Sequence, residues 1–204
     1  MPNTLAFHQS LCVIVLAGGK STRMGGKNKS LLPLNGTPLI QHVLQRIPKD
    51  IPQILISAND HPEHYQQFGL PIIADNNQNY AGPLAGIVSC APHINHPVTQ
   101  IVSCDTPLLP LDLFSRLAAE RLRQQCPIAV PHDGERLQLL SMQMETSCVA
   151  SMEEALRRQE FAVYRWLQTQ RFAELDCSHS AEQFANINTP DDLNRLESRI
   201  RHAR

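Results

Sequence analysis

The 204-residue sequence has few charged residues, 18% of the total, and a net charge of only −1. It lacks the positive excess with which nucleic-acid-binding proteins neutralise phosphates, so we expect no nucleic acid among its ligands. It also lacks long hydrophobic runs: the longest, residues 11–17, has seven residues, whereas a membrane span needs about 20. We therefore expect no membrane span, no secretory signal peptide and no membrane partner.

Cysteine patterns that indicate metal binding or disulfides are also missing. None of the six cysteines stands in C-x-x-C spacing, and none has a histidine at the spacing of a zinc site. Reduced, buried thiols and a cytoplasmic location are expected. The pairs His61/His64 and His93/His96 are expected on the surface, because each lacks a third zinc ligand. Trp166 is expected in the core rather than as a stacking platform for a pterin.

Charge is distributed unevenly along the chain. Residues 1–49 contain six lysines or arginines and no acid, whereas residues 50–115 contain six acids and no lysine or arginine. The first segment suits an anion, and the second offers carboxylates to a metal ion. Ordinary solvated charge, distributed by chance, is the alternative explanation.

Apolar stretches typical of strands alternate with helix signals along the whole chain. We predict strands at 11–17, 53–57, 70–74, 100–104, 128–130, 138–144 and 171–175. We predict helices at 39–47, 61–68, 83–90, 110–125, 145–157, 162–170 and from 190 onward. Thr37 and Pro38 are predicted to be the cap and first position of a helix. The alternation predicts one α/β domain over residues 1–204: a Rossmann-like, three-layer α/β/α arrangement with a mostly parallel sheet.

In such sheets, ligands bind outside the carboxyl ends of the strands. Gly18, Asn59, Asp75 and Asp105 lie just past the ends of predicted strands, so we expect them to converge at one edge. A carboxylate at the end of a rigid strand, such as Asp105, suits Mg²⁺, which prefers carboxylates together with water. The alternatives are a helix cap or Asx turn at Asp105 and an ordinary turn at Asn59.

Residues 18–29 have the composition of a phosphate-binding loop. They include four of the nine glycines and four of the cationic residues. Glycine permits positive φ and close approach of a ligand, and successive N–H groups form an anion-binding concavity. Arg23 and Lys29 add positive charge that suits a triphosphate. The patterns G-x-G-x-x-G and G-x-x-x-x-G-K-[ST] are both absent, so neither of those loops is predicted; an ordinary strand-to-helix loop is the alternative.

The segment L-A-G-G-K-S-T-R-M-G-G-K-N-K at 16–29 resembles the signature of nucleotidyltransferases that use a nucleoside triphosphate and release pyrophosphate. Within that superfamily the chain is most similar to the molybdenum cofactor guanylyltransferase family. The segments that carry this resemblance are L-N-G-T-P-L at 34–39, S-A-N at 57–59, Y-A-G-P-L-A-G at 80–86, C-D-T-P at 104–107, H-D-G-E-R at 132–136 and N-I-N-T-P at 186–190. The chain departs from the family at Asn28, where aspartate is usual, and at Leu139, where proline is frequent.

The resemblance implies a nucleotide-diphospho-sugar transferase fold. It also implies transfer of GMP from GTP to molybdopterin or molybdenum-molybdopterin, which forms the molybdopterin guanine dinucleotide and pyrophosphate. The implied cofactor is Mg²⁺, held by Asp105, and the implied catalytic residues are Arg23, Lys29 and Asp105. The implied nucleotide-binding residues are Leu16, Ala17, Gly18, Gly19, Lys29, Asn59, Asp75 and Asp105.

Asn186 and Asn188 are assigned to the acceptor, because their spacing places both side chains on one side of an extended segment. Turn chemistry before Thr189 is the alternative. Residues 1–106 are expected to bind nucleotide and Mg²⁺, and residues 107–204 the acceptor. Molybdoenzyme apoproteins or delivery chaperones are further expected partners. Three other functions stay open: cytidylyl transfer to the same cofactor, nucleotidyl transfer to a sugar phosphate, and non-enzymatic delivery of the cofactor by a nucleotide-binding module.

Overall fold

The computed structural model describes residues 7–17, 28–59, 61–74 and 82–202, in which strands and helices alternate as predicted. The strands are β1 (Leu11–Leu16), β2 (Pro33–Leu34), β3 (Thr37–Pro38), β4 (Gln53–Ser57), β5 (Ile72–Ile73), β6 (Val98–Ser103), β7 (Ile128–His132), β8 (Gln143–Glu145) and β9 (Phe172–Asp176). The α-helices are α1 (Leu39–Arg46), α2 (Gly82–Cys90), α3 (Leu113–Arg123), α4 (Val149–Arg157), α5 (Val163–Gln168) and α6 (Pro190–His202).

The main sheet has the strand order β5-β4-β1-β6-β8-β7-β9. Strands β4 and β6 flank β1 in parallel, and β5 and β9 pair in parallel with β4 and β7. Strand β8 is antiparallel to both β6 and β7, so it alone among the described strands of this sheet runs in the opposite direction. Leu16, Ser57, Ser103 and His132 therefore end their strands on one side of the sheet, which we call the carboxyl edge. The predicted α/β class with a mostly parallel sheet is confirmed.

The two hydrophobic cores follow from the alternation of side chains along β1. Val13 and Val15 pack on one face, together with residues of α1 and α3, and Ile14 and Leu16 pack on the other with residues of α2, α4 and α5. All of β1 is buried because helices cover both faces of the sheet. Trp166 lies in the second core and is 2% exposed, as predicted. The arrangement is the expected three layers.

The helix start predicted at Thr37 and Pro38 is wrong. These two residues form β3, which pairs with β2 in a hairpin, and α1 begins at Leu39. The hairpin forms because Asn35 and Gly36 take positive φ angles of 49° and 81°, which tight hairpin turns require.

The boundary between β8 and α4 also differs from the prediction. Glu145 pairs with Val98 and so extends the strand, whereas residues 139–141 form a short 3-10 helix rather than the start of the strand. Helix α4 consequently begins at Val149, after a 3-10 turn at Thr146–Cys148. Within the described ranges, no helix combines the length and apolar character that crossing a bilayer requires.

Candidate functional site

Two residues far apart in sequence form an ion pair at the carboxyl edge. The Lys29 ammonium (Nζ) donates to Asp105 Oδ2 at 3.0 Å and to Asn188 Oδ1 at 2.8 Å. The Lys29 and Asp105 side chains are 19% and 21% exposed, so the pair is partly shielded from water yet open to a ligand. The structure thus brings together residues predicted separately for the nucleotide, the metal ion and the acceptor.

Asp105 is placed by backbone hydrogen bonds around the end of β6. Cys104 N donates to Leu16 O at 3.0 Å, which continues the pairing of β6 with β1 beyond the strand. Ile187 N donates to Asp105 O at 2.9 Å and joins the segment before α6 to the same point. The Asp105 carboxylate itself accepts from Lys29 and from the Thr106 hydroxyl, at 3.3 Å for the latter. Both of these partners are side-chain groups, whereas an Asx turn or a helix cap would supply a backbone N–H.

Asn186 contacts the turn that carries Asp105, and Asn188 contacts Lys29, the partner of Asp105. Asn186 Oδ1 accepts from Thr106 Oγ1 at 2.9 Å, and Asn188 Oδ1 accepts from Lys29. Ile187, between them, is 1% exposed and packs in a small core with residues of α1 and α6. The alternation predicted for an extended segment therefore holds.

The side-chain hydrogen bonds that stabilise the turn before α6 are made by Thr189 and Asp192 rather than by the two asparagines. Asp192 Oδ2 accepts from the backbone N–H groups of Asn188 and Thr189 at 3.0 and 2.9 Å, and Asp192 N donates to Thr189 Oγ1 at 3.2 Å. The N–H of Asn188 and the Thr189 hydroxyl hold the pKa of Asp192 below its usual range. The Asn186 and Asn188 side chains instead contact Thr106 and Lys29.

The predicted nucleotide-binding residues on β1 and β4 also lie at the carboxyl edge. Leu16 and Ala17 are buried, 7% and 5% exposed, and Leu16 O already accepts from Cys104 N. Ala17 N donates to Ser57 O at 2.9 Å, which aligns the ends of the two strands. Asn59 follows β4 and is partly exposed. The remaining predicted residues, Gly18, Gly19, Arg23 and Asp75, lie outside the described residues.

The glycine at position 86, within the Y-A-G-P-L-A-G segment, has a packing role. A Cβ atom at Gly86 would lie 2.6 Å from Ser57 Oγ and 3.5 Å from Leu16 Cδ2. Helix α2 can therefore approach the ends of β1 and β4 only because position 86 has no side chain.

Sequence reasoning missed Tyr65, which is completely buried. It lies in a 3-10 helix, Pro62–Phe68, whose other described side chains are partly or fully exposed. Its hydroxyl oxygen lies 3.2 Å from Ala17 O and also contacts Asn28 and Ser30, which flank Lys29. The available signal was an aromatic residue within the polar run P-E-H-Y-Q-Q-F.

The histidines expected on the surface are there. His61 and His64 are exposed, and their rings stack with centroids 5.2 Å apart. The structure adds Glu63, whose Oε1 lies 3.0 Å from His61 Nδ1, to make an exposed group of three side chains that the sequence interpretation did not find. Of the other pair, His93 is exposed and His96 partly exposed.

All six cysteines are free thiols, as predicted, and five of them are buried. Burial raises the pKa of the Cys104 thiol beside Asp105. Because a thiol acts as a nucleophile when ionised, burial disfavours that role for Cys104.

Comparison with known proteins adds independent observations. The family model of the MobA-like NTP transferase domain matches residues 13–175 of the chain. A protein of Shewanella sp. (strain MR-4) named molybdenum cofactor guanylyltransferase is 37% identical over 187 residues, which cover 92% of this chain and 95% of that protein. A protein of the same name from Shewanella piezotolerans is 36% identical over 187 residues and 92% of both chains.

Two solved structures share the fold. Molybdopterin-guanine dinucleotide biosynthesis protein A from Archaeoglobus fulgidus superposes with a TM-score of 0.76 at 23% identity, over 93% of this chain and 98% of that chain. CMP:2-keto-3-deoxy-manno-octonic acid synthetase, solved in complex with CTP, gives a TM-score of 0.72 at 15% identity, over 96% of this chain and 100% of that chain. The predicted nucleotide-diphospho-sugar transferase fold is confirmed.

Proposed function

The chain belongs to the MobA-like NTP transferase family, and from this premise we propose that it transfers GMP from GTP to molybdopterin. The products are molybdopterin guanine dinucleotide and pyrophosphate. The structural observation that carries the proposal is the meeting of Lys29, Asp105 and Asn188 at the carboxyl edge. A cation, a carboxylate and an amide from three separate segments there form a site suited to two phosphate-bearing substrates.

The reaction joins two anions, and their mutual repulsion is the main obstacle. An oxygen of the acceptor phosphate attacks the α-phosphorus of GTP in line, and the bond from that phosphorus to the bridging oxygen breaks. Pyrophosphate leaves with the electron pair. The acceptor phosphate is already ionised near neutral pH, so no general base is required. The protein contributes positioning and neutralisation of charge.

Lys29 is assigned to the triphosphate. Its ammonium lies between the carboxylate of Asp105 and the amide oxygen of Asn188, so it is held at the carboxyl edge before substrate binds. A cation placed in advance stabilises the charge that develops on pyrophosphate without reorganisation during the reaction. We assign the same role to Arg23, and we assign the backbone amides of Gly18 and Gly19 to the phosphates. For the nucleoside we propose contacts from Leu16, Ala17, Asn59 and Asp75.

The donor atoms around Asp105 fit a hard divalent cation. A carboxylate oxygen of Asp105 and the amide oxygen of Asn188 both lie within 3.0 Å of the Lys29 ammonium nitrogen, so two oxygen atoms of the kind that Mg²⁺ prefers already contact a positive charge. We propose Mg²⁺ held by Asp105; when bound, the ion would neutralise charge on phosphate oxygens.

The acceptor is assigned to Asn186 and Asn188, whose amides bind phosphate or pterin without adding negative charge. We propose that residues 1–106 hold the nucleotide and residues 107–204 the acceptor, with the contact between Lys29 and Asn188 joining the two parts. We also place the reaction in the cytoplasm, which the free cysteines support, and propose transfer of the product to molybdoenzyme apoproteins or delivery chaperones.

The test is an assay of the purified chain with GTP, Mg²⁺ and molybdopterin, with and without molybdenum. We expect pyrophosphate release that depends on the acceptor, and a dinucleotide product identified by mass spectrometry. CTP in place of GTP should support much slower turnover. Faster turnover with CTP than with GTP would show that the site prefers cytosine to guanine. Nucleotide binding without pyrophosphate release, in the presence of a competent acceptor, would instead indicate a cofactor-delivery module.

A further inference from the structure

A buried hydrogen-bond network surrounds the segment that carries Lys29. The hydroxyl of Tyr65 lies 2.5 Å from Ser30 Oγ and accepts from Asn28 Nδ2 at 2.9 Å. Ser30 Oγ donates to Asn28 Oδ1 at 2.7 Å. Tyr65 and Ser30 are both completely buried, so water does not compete for these groups.

The side chains of Asn28, Ser30 and Tyr65 can form a closed ring of hydrogen bonds. The Asn28 amide donates to the Tyr65 oxygen, the Tyr65 hydroxyl donates to Ser30 Oγ, and the Ser30 hydroxyl donates to Asn28 Oδ1. Each member of the ring gives one hydrogen and accepts one. The ring needs an amide at position 28, because a carboxylate accepts hydrogen bonds but does not donate them. Asparagine at position 28, where the family usually has aspartate, therefore supplies the amide donor that this ring requires.

This ring holds the backbone on both sides of Lys29. Asn28 caps the 3-10 helix Lys29–Leu31, and its Oδ1 also accepts from Ser30 N at 3.2 Å. The Lys29 Cα is thus flanked by two residues whose side chains are tied to Tyr65, while its own side chain extends to Asp105. Tyr65 also lies 3.2 Å from Ala17 O and so connects the end of β1 to the same unit.

We propose that Tyr65 is a positioning residue, which acts through the Asn28–Ser30 ring to hold Lys29 toward the phosphates. The inference rests on the role proposed above for Lys29. Tyr65 does not itself contact the reacting atoms in this account. Removal of its hydroxyl leaves the Asn28 amide and the Ser30 hydroxyl without their shared partner, and the Lys29 segment is then free to shift. Small displacements of a catalytic group reduce rates strongly.

The test is a double-mutant cycle between Tyr65→Phe and Lys29→Met. We expect Tyr65→Phe alone to lower kcat/KM for GTP about tenfold, the usual scale for loss of a buried hydrogen bond. In the Lys29→Met background the same substitution should change the rate less than about twofold, because the group it positions is already gone. Tyr164→Phe is the matched control, since Tyr164 is 54% exposed on α5, and it should match the wild type.

A merely structural role predicts a different result. Tyr65→Phe would then lower the melting temperature and reduce the rate by the same factor in both backgrounds, which would overturn the proposal. A rate equal to that of the wild type would also overturn it. Asn28→Asp should reduce the rate as well, because it replaces the amide that donates to Tyr65 with a carboxylate that only accepts.

Failure of the proposed function is recognised separately, because the wild type would then transfer no GMP. In that case the same cycle is measured as the affinity for GTP with Mg²⁺ by calorimetry. We expect Tyr65→Phe to weaken GTP binding when residue 29 is the wild-type lysine, and to leave it unchanged in the Lys29→Met variant. Equal affinities of Tyr65→Phe and wild type would contradict the positioning role whatever the reaction is.

Discussion

An ion pair on helix α4 and the ion pair at the carboxyl edge differ in how they arise. On α4, Arg157 pairs with Glu153 and Glu154, its neighbours at helical spacing, and all three side chains are about half exposed: 62%, 57% and 46%. At the carboxyl edge, Lys29 pairs with Asp105, which is 76 residues away and about one-fifth exposed. Helical periodicity produces the first pair, whereas the second depends on the tertiary fold, which brings the 3-10 helix at Lys29 to the end of β6.

The two pairs also differ in what they contribute to stability. Exposed pairs at helical spacing contribute little, because water screens them and two long side chains must be ordered. A shielded pair assembled from distant segments requires the fold to desolvate two charges, which costs free energy unless the pairing geometry and additional hydrogen bonds offset it. The predictions below test this contrast.

The largest effect is expected from the distant pair. Lys29→Ala and Asp105→Ala should each lower the rate of GMP transfer by about 10²-fold or more, the scale for removing one preorganised electrostatic group. The measurement is pyrophosphate release at saturating GTP and Mg²⁺. Arg157→Ala is the control: it should leave the rate unchanged and change the free energy of unfolding by less than about 0.5 kcal/mol. Near-full activity of either variant at the edge would refute its assignment.

The next effect concerns the close packing beneath the carboxyl edge. Gly86→Val should lower the free energy of unfolding by about 1–3 kcal/mol, because the side chain would enter the space occupied by Ser57 and Leu16. Gly86→Ala should cost less, since the Ser57 hydroxyl can turn away from a single methyl group. Urea denaturation measures both. If the valine variant is as stable as the wild type, α2 is not held against β4 as tightly as the structure shows.

A smaller effect is expected on the acceptor side. Asn188→Ala should raise the KM for molybdopterin about tenfold, in keeping with one hydrogen bond to a charged group, and should change the KM for GTP less. Steady-state kinetics with each substrate varied in turn measures the two values. Asn194→Ala, an exposed asparagine on α6, is the matched control. Equal rises in both KM values would place Asn188 in the nucleotide site instead.

The smallest effect is a pH dependence at the start of α6. The pKa of Asp192 is lowered in the folded chain, so its carboxylate stabilises the fold above the ordinary aspartate pKa of about 3.9. That contribution is lost as the pH falls through the lowered value. Asp192→Asn should therefore reduce the melting temperature at neutral pH, and the difference from the wild type should shrink in strong acid. A difference independent of pH would show that the charge of Asp192 is not involved.

The predictions from sequence succeeded where local pattern and packing agree. Strand β1 was located to within one residue because buried parallel strands are continuously apolar, and the strand predicted at 100–104 overlaps β6. The predictions failed where a tight turn or a neighbouring strand determines where a helix begins or a strand ends. The positive φ angles at Asn35 and Gly36 make a hairpin of what looked like a helix start, and Val98 extends β8 into Glu145.

The loop glycines, the strand ends and the family resemblance are all visible in the linear order of residues, and they sufficed for the fold class and for the list of candidate residues. The linear order does not show which charges touch. The contact of Lys29 with Asp105 and Asn188, and the burial of Tyr65 against Ala17, depend on the lateral order of strands in the sheet. That order is set by burial on both faces of the sheet at once, a property of the whole chain rather than of any short segment.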